Sequence, residues 1–276
     1  MSITTTPNSE TPLNTENIKD SSLPRIIFLH GFLGSGSDWV PIARELENEY
    51  CCILVDLPGH GESDIEANGN PDLFFTKTVD AIAMELSRTA APEPCFLVGY
   101  SMGGRIALSL LLRHPELFAK AIILSASPGL ATEKERLSRR ESDEGIARKI
   151  EKNFAGFIQA WYEQPLFASL KNHPVFKEVE SERKINNPSN LALALRLLGT
   201  GQQPSLWDEL QQNKVPIQFF AGEKDLKFVE IGRQMVNLCT ESTLEIFSGC
   251  GHTLHLENRV LFVERLIQFF NKHQLS

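Results

Sequence analysis

The chain alternates short, continuous apolar segments with segments whose apolar residues recur at helical spacing. Five apolar segments each end in a Gly, a Pro or a polar turn: residues 25–32 (RIIFLHGF), 51–59 (CCILVDLPG), 94–101 (PCFLVGYS), 119–128 (AKAIILSASP) and 215–225 (VPIQFFAGEKD). Continuous apolar strands are typical of a parallel sheet buried on both faces. The sequence therefore predicts an α/β fold with an open, mostly parallel, doubly wound sheet and sites at the carboxyl ends of its strands.

The alternation is interrupted once, over residues 129–203, where the sequence is helical, charged and rich in arginine. We call residues 129–203 the insertion and predict that it forms a helical lid on a core built from residues 23–128 and 204–276. A chain of 276 residues with 42% hydrophobic side chains is sufficient for one substantial core. Residues 1–22 are polar, lack the apolar run of a signal peptide and are predicted to form a disordered tail.

Charge and cysteine content exclude several classes of protein. A net charge of −8 disfavours a general nucleic-acid or anionic-membrane surface. No apolar run approaches the roughly 18 residues of a membrane span. Five cysteines without C-x-x-C spacing are typical of reduced, packed thiols. We therefore expect a soluble, cytoplasmic protein without membrane insertion or a nucleic-acid partner, and the sequence leaves its oligomeric state open.

Ser101 is the centre of the predicted chemistry. It stands in the motif GYSMG between an apolar strand and a helix, and Gly99 and Gly103 flank it. A nucleophile elbow is strained and crowded, so that a Cβ at either flanking position would clash. A serine in an ordinary strand-to-helix turn is the alternative for this pentapeptide alone.

The partners of a catalytic triad follow in the order expected for this elbow, with the acid before the histidine. Asp225 ends an apolar strand, where a carboxylate could orient an imidazole, and His252 lies in a loop between glycines before the last helix. His255 is a rival for the base and Asp143 a rival for the acid, but neither has the strand-end or glycine-loop setting. Glu223 is a further rival for the acid, and Asp225 is preferred to it. We predict a Ser101, His252 and Asp225 triad.

Backbone N–H groups complete the predicted site. Those of Phe32, in the HGF run, and Met102, directly after the serine, are placed to form an oxyanion hole for a developing negative charge. His30 and His60 are predicted to support loops rather than to transfer protons. The sequence contains no H-x-x-E-H, G-x-G-x-x-G or P-loop pattern, and we expect neither a metal nor an organic cofactor.

Arg105 is unusual for a hydrolase of neutral substrates. It follows Ser101 by one helical turn, and its guanidinium is therefore predicted to lie in the floor of the same pocket. A permanently charged group in that position indicates an anionic ligand.

Two levels of resemblance follow from these motifs. LHGF, DLPGHGES, GYSMGG, GEKD and GCGH together resemble the α/β-hydrolase superfamily across the core. Within it, GYSMGGR, SASPGL followed by ERLSRRESDE, and WYEQPLFASL resemble the 2-succinyl-6-hydroxy-2,4-cyclohexadiene-1-carboxylate synthases. Those enzymes are pyruvate-releasing lyases of menaquinone and phylloquinone biosynthesis.

The resemblance implies a role for ten residues. Ser101, Asp225 and His252 correspond to the triad, Phe32 and Met102 to the oxyanion donors, and Tyr100, Arg105, Arg139, Trp161 and Arg183 to substrate-contacting residues. The match of Arg183 rests on the short segment ERKINN alone. The remaining insertion arginines, Arg136, Arg140 and Arg148, are predicted to lie on a solvated face.

The implied substrate is a small tricarboxylate, and arginines hold carboxylates through paired, charged hydrogen bonds. Removal of the ring proton beside the succinyl ketone would give an enolate-like oxygen, and double-bond migration would expel pyruvate. Two alternatives stay open at this point. One is a carboxylesterase or carbon–carbon bond hydrolase with the same triad, and the other is a non-catalytic binding protein on this fold.

Overall fold

The predicted parallel strands form the centre of a seven-stranded sheet. The computed structural model describes residues 13–18, 22–66, 70–88 and 94–271. The strands are β1 (Asn14–Ile18), β2 (Arg25–Leu29), β3 (Cys51–Asp56), β4 (Cys95–Tyr100), β5 (Phe118–Leu124), β6 (Ile217–Gly222) and β7 (Ser242–Phe247). Their order is β1-β3-β2-β4-β5-β6-β7, and every neighbouring pair is parallel except β1 and β3. The predicted fold class is confirmed.

Helices cover both faces of this sheet. They are α1 (Val40–Leu46), α2 (Phe74–Arg88), α3 (Met102–Arg113), α4 (Glu133–Lys152), α5 (Phe154–Tyr162), α6 (Ala168–Lys171), α7 (Phe176–Arg183), α8 (Pro188–Leu198), α9 (Leu226–Leu238), α10 (Leu254–Glu257) and α11 (Arg259–Asn271). Successive strand residues point to opposite faces, so Ile27 and Leu29 pack in one core with α2 and α3. Ile26 and Phe28 pack in a second core with α1 and α11. Two buried faces explain why the central strands are continuously apolar.

Helices α4 to α8 lie between β5 and β6, within the insertion. They share a third apolar cluster, which includes Ala147, Ile158 and Leu191. Helix α4 begins with a capping box, in which Thr132 and Glu135 bond each other's backbone N–H groups, and such a box fixes the helix start. The structure thus gives the insertion its own small core; that it acts as a lid stays a prediction.

The prediction that residues 1–22 form a disordered tail is wrong for residues 14–18. These residues are strand β1, which pairs antiparallel with β3 from Asn14 opposite Asp56 to Ile18 opposite Cys52. Residues 1–12 and 19–21 lie outside the described residues.

The reason for this error is that β1 is an edge strand. A backbone ladder satisfies N–H and C=O groups whatever the side chains are, so polar residues can form a strand where one face is open to solvent. Polar contacts also fix its first residue: Asn14 donates its backbone N–H to Ser63 Oγ at 2.7 Å and its side-chain amide to Asp56 Oδ2 at 3.0 Å.

The described ranges contain no helix with both the length and the apolarity needed to cross a membrane. All five cysteines are buried, and none of them forms a disulfide bond.

Candidate active site

Ser101 lies at a sharp turn between β4 and α3. Its backbone has φ of 50° and ψ of −106°, a region that residues with a Cβ rarely occupy. A Cβ on Gly103 would stand 2.3 Å from the Leu29 carbonyl oxygen, and one on Gly99 would stand 2.7 Å from the Gly103 carbonyl oxygen. The predicted crowding on both sides of the serine is confirmed, and it explains why glycine occupies both positions.

The predicted triad residues meet at the carboxyl ends of the strands. Asp225 follows β6, His252 lies in the loop after β7, and both side chains are buried. His252 Nδ1 donates to Asp225 Oδ2 at 2.7 Å, because a carboxylate can only accept. His252 Nε2 is then free to accept from Ser101 Oγ, which is 3.2 Å away. This geometry is that of a serine activated by a neutral, oriented imidazole.

The three rival residues are engaged elsewhere. His255 is stacked on Trp39 with ring centroids 4.7 Å apart, and burial, aided by the charge of Arg183, lowers its pKa to about 3. Asp143 accepts from Arg139. Glu223 accepts from the loop at Gly249 and Ser248 instead of reaching the histidine.

The predicted oxyanion donors face the same space as the serine. Phe32, Met102 and Ser101 line one cavity. Among the described residues, neither the Phe32 nor the Met102 backbone N–H donates a hydrogen bond within the protein. Two unused donors beside the serine can therefore stabilise negative charge that develops there.

His30 holds the loop that carries Phe32. Its Nε2 accepts from the Leu57 N–H at 3.0 Å, so Nδ1 carries the proton and donates to the Gly31 carbonyl at 2.8 Å. His60 is buried beside it and bonds the Pro58 carbonyl; burial and the neighbouring His30 lower the pKa of His60 to about 3. Both contacts agree with the predicted loop-supporting role.

One cavity of about 370 Å³ gathers the predicted site. The residues that line it include nine of the ten predicted ones, namely Phe32, Tyr100, Ser101, Met102, Arg105, Arg139, Trp161, Arg183 and His252. The tenth, Asp225, lies behind His252. Trp161 packs edge-on against Phe32 with ring centroids 5.6 Å apart. An aromatic side chain of the insertion therefore contacts the loop that carries the predicted oxyanion donor. In the described part of the chain, no His, Cys, Asp and Glu side chains group as metal ligands.

Arg105 is anchored without a carboxylate partner. It donates from Nη2 to the Leu198 carbonyl at 2.8 Å and from Nη1 to Gln203 Oε1 at 3.3 Å. Burial, together with the charge of Arg139, lowers the pKa of Arg105 to about 9. The guanidinium remains charged at neutral pH, and it is buried, where an anion would be bound more strongly than at an exposed position.

Arg139, on α4, pairs with an acid one turn further along the same helix. Its Nε donates to Asp143 Oδ1 at 2.7 Å. The other oxygen, Asp143 Oδ2, is buried and accepts no hydrogen bond from the described residues. Burial raises the pKa of Asp143 despite the nearby Arg139. Arg139 is more exposed than its partner and faces the cavity.

Arg183, on α7, is fully engaged. Asp38 accepts from both of its terminal nitrogens, and both side chains are buried. Burial alone would lower the pKa of Arg183, but Asp38 and Tyr162 raise it. Its charge is thus balanced before any ligand binds, unlike that of Arg105.

Two of the three arginines predicted to lie on a solvated face are only partly exposed. Arg136 donates to the Leu130 carbonyl and Arg140 to the Gly201 carbonyl, so each ties α4 to a neighbouring loop. Only Arg148, whose side chain is 74% exposed, lies on an open face. The helical pattern of α4 could not reveal these contacts, because the loops that accept them are distant in sequence.

Three residues of the site were not predicted from the sequence. Asp38 and Gln203 hold Arg183 and Arg105, and Lys227 lines the cavity near Phe228. Among the described residues Lys227 has no carboxylate partner, and its Nζ lies 5.4 Å from the centroid of the Phe228 ring. The sequence offered one sign that Lys227 lies near the site, namely its position two residues after Asp225.

The sheet, the elbow and the triad define a protein of the α/β-hydrolase class, and residues 24–259 match the alpha/beta hydrolase fold family. The chain is 33% identical to Protein PHYLLO, chloroplastic, of Arabidopsis thaliana over 89% of its own length, but it spans only 15% of that protein. It is 30% identical to 2-succinyl-6-hydroxy-2,4-cyclohexadiene-1-carboxylate synthase of Salmonella paratyphi B, over 89% of this chain and 93% of the relative. The chain belongs to the 2-succinyl-6-hydroxy-2,4-cyclohexadiene-1-carboxylate synthase family.

A solved structure agrees with this assignment. MenH from S. aureus superposes with a TM-score of 0.88 at 32% identity, covering 95% of this chain and 98% of that one. The narrower resemblance of the sequence motifs is confirmed.

Proposed function

We propose that the protein eliminates pyruvate from 2-succinyl-5-enolpyruvyl-6-hydroxy-3-cyclohexene-1-carboxylate to give 2-succinyl-6-hydroxy-2,4-cyclohexadiene-1-carboxylate. One observation carries this proposal beyond the fold: a single cavity places the Ser101 hydroxyl among Arg105, Arg139, Arg183 and Lys227. Asp38 already neutralises Arg183, but Arg105, Arg139 and Lys227 are not neutralised as completely. These cations around an activated serine suit a substrate with three carboxylates. A hydrolase for neutral esters would gain nothing from them.

The first chemical step is removal of the ring proton beside the succinyl ketone. Ser101 Oγ donates to His252 Nε2, so the hydroxyl can accept the ring proton as its own passes to the imidazole. Asp225 fixes the imidazole through Nδ1 and stabilises the imidazolium that forms. In this reaction Ser101 acts as a base and is never acylated.

Electrons from the broken C–H bond move onto the ketone oxygen. The N–H groups of Phe32 and Met102 line the cavity beside Ser101 and can donate to this enolate-like oxygen. When the enolate collapses, the ring double bond migrates and the bond to the enolpyruvyl oxygen breaks. The leaving enolate takes up a proton at carbon and becomes pyruvate, so the elimination balances without a cofactor.

The carboxylates of the substrate determine how it lies against the triad. Arg105 and Arg139 approach the cavity from the core and from the insertion, and neither is neutralised as completely as Arg183. Tyr100 and Trp161 supply the aromatic surface of the same cavity for the ring. The substrate is thereby held at several charged points around one reacting carbon.

Supplying the purified protein with the enolpyruvyl substrate tests the proposal. Pyruvate is followed by coupled oxidation of NADH with lactate dehydrogenase, and the ring product by its diene absorbance. We expect both products in equal amounts. Release of the succinyl arm, or of any carboxylic acid formed by hydrolysis, in place of pyruvate would overturn the lyase assignment.

A second measurement separates proton abstraction from acyl transfer. Deuterium at the ring position beside the ketone should slow turnover when chemistry limits the rate, and no covalent adduct should accumulate on Ser101. Mass spectrometry of rapidly quenched enzyme detects such an adduct. An adduct on Ser101 that forms and decays at the rate of turnover would contradict the base mechanism.

The product belongs to menaquinone or phylloquinone biosynthesis, and either quinone is compatible with this site. We place the reaction in the cytoplasm. Five buried cysteines, none of them in a disulfide bond, support a reducing compartment.

A further inference from the structure

The carboxylate of Glu257, at the end of α10, bonds the loop on both sides of His252. Its Oε2 accepts from the Gly251 N–H at 2.8 Å. Its Oε1 accepts from the Thr253 hydroxyl at 2.7 Å and from the Thr253 N–H at 3.3 Å. The residues directly before and after the catalytic imidazole are thus held by one side chain.

The same carboxylate also accepts from the insertion. Ser169, on α6, donates its hydroxyl to Glu257 Oε2, the oxygen that also holds Gly251. A Cβ on Gly251 would stand 2.8 Å from Ser169 Cβ, so glycine at this position is what allows α6 to approach. The insertion therefore reaches the histidine loop through Glu257 and through close packing on Gly251.

Side chains next to Ser169 pack on the active site as well. The Phe167 ring meets the His252 ring edge-on, with centroids 6.0 Å apart, and Leu170 lines the cavity. Segment 167–170 thus contacts the His252 imidazole through Phe167 and the Glu257 carboxylate through Ser169.

We propose that Ser169 and Glu257 are positioning residues, through which the insertion sets the distance between His252 and Ser101. The proposal rests on the proposed role of His252 as the proton acceptor. The Ser101–His252 contact of 3.2 Å is at the long end for a hydroxyl donor, and a small shift of the loop would break it. Glu257 prevents that shift because its two carboxylate oxygens accept from the backbone N–H groups of Gly251 and Thr253, on either side of His252.

Four variants test the proposal: Ser169→Ala, Glu257→Gln, the double variant, and the matched control Ser181→Ala. Ser181 is an exposed serine on α7 within the same insertion. Each is assayed for pyruvate release and for the rate at which a small, uncharged aryl phosphonate labels Ser101. The probe bears no carboxylate for the arginines, so its rate reports on the serine, the histidine and the oxyanion donors and not on the arginines. Thermal unfolding confirms that each variant is folded.

We expect Ser169→Ala to lower kcat and the labelling rate together, by about threefold to tenfold, and Glu257→Gln by about 10- to 100-fold, since small misplacements are costly. KM should change by less than about twofold. The double variant should match Glu257→Gln, because both residues act through one contact. Ser181→Ala should behave as wild type.

Two results would overturn the proposal. In one, Ser169→Ala slows pyruvate release but leaves labelling unchanged, which would mean that α6 acts on the substrate and not on the triad. In the other, the losses in the single variants multiply in the double variant. Failure of the lyase function is distinguishable from both, because wild-type protein would then label at Ser101 without releasing pyruvate.

Discussion

The guanidinium of Arg183 and the carboxylate of Asp38 form a buried two-point ion pair, with Nη1–Oδ1 at 2.6 Å and Nη2–Oδ2 at 2.8 Å. Arg183 belongs to α7 of the insertion, and Asp38 belongs to the turn before α1 of the core. The pair lies at the wall of the active-site cavity. It fastens the insertion to the core at the point where substrate must bind.

Loss of Asp38 should destabilise the protein severely. Asp38→Asn leaves the Arg183 charge buried without its partner, and breaking such a pair costs about 3–5 kcal/mol. Urea unfolding monitored by tryptophan fluorescence measures the change. A free energy of unfolding within about 1 kcal/mol of wild type would show that solvent or Tyr162 compensates the charge.

Each triad residue should be needed for turnover. Ser101→Ala and His252→Ala should each lower kcat by about 10³-fold or more, and combining them should add little, because triad members act as a unit. Asp225→Asn should retain more activity than either. Near-normal pyruvate release by Ser101→Ala would exclude the serine as the base.

Arg139 and Arg148 offer a matched comparison on one helix. Both lie on α4 and both pair with an acid four residues away, but only Arg139 lines the cavity. A hydrogen bond between charged partners contributes about 1.5–3 kcal/mol, so Arg139→Ala should lower kcat/KM by about 10- to 150-fold. Arg148→Ala should change it by less than about threefold. Equal effects in the two variants would remove Arg139 from the substrate site.

Lys227 should act at the entrance of the cavity. Lys227→Met should raise KM about threefold to tenfold with kcat nearly unchanged, and the difference should shrink in about 0.5 M salt, which screens exposed charges. Lys224→Met is the control, since Lys224 is also exposed, in the loop just before α9, but does not line the cavity. A salt-independent change in kcat would contradict a role in attracting the substrate.

Buried histidines should make the fold sensitive to mild acid. Burial lowers the pKa of His60 and of His255 to about 3 from a usual value of 6.5. Below pH 6.5 the unfolded chain therefore binds protons that the folded protein does not. The stability is complete above that pH and is lost progressively between pH 6.5 and about 3.

For two such groups the free energy of unfolding should fall by about 4 kcal/mol between pH 7 and pH 5. Urea unfolding at the two pH values measures this difference. Equal stability at both would show that the two imidazoles are solvated.

The central strands were predictable because burial on both faces leaves them continuously apolar. The edge strands were not. Strand β7 has the sequence STLEIF, in which polar residues interrupt the apolar run. Its Leu244 is only half-buried, and Glu245 accepts from Arg265 and Gln218. In β1, residues 14–16 are polar and exposed, and the strand pairs with β3 through a backbone ladder.

The triad was predictable because glycines mark the crowded turns around Ser101 and His252. Contacts between the core and the insertion were not, since they join residues far apart in sequence. Asp38 meets Arg183 145 residues later, and Glu257 meets Ser169 88 residues earlier. Nothing in the sequence around Asp38 or Glu257 indicates that either residue has such a distant partner.

Strand β1 has a consequence for handling the protein. It covers the outer edge of β3, whose six residues are all buried and mostly apolar. A shortened chain that began at residue 19 would leave that edge unpaired, with a row of N–H and C=O groups ready to template another chain. By pairing with this edge, β1 protects the protein from edge-to-edge aggregation. Removal of β1 to improve crystallisation would therefore favour precipitation instead.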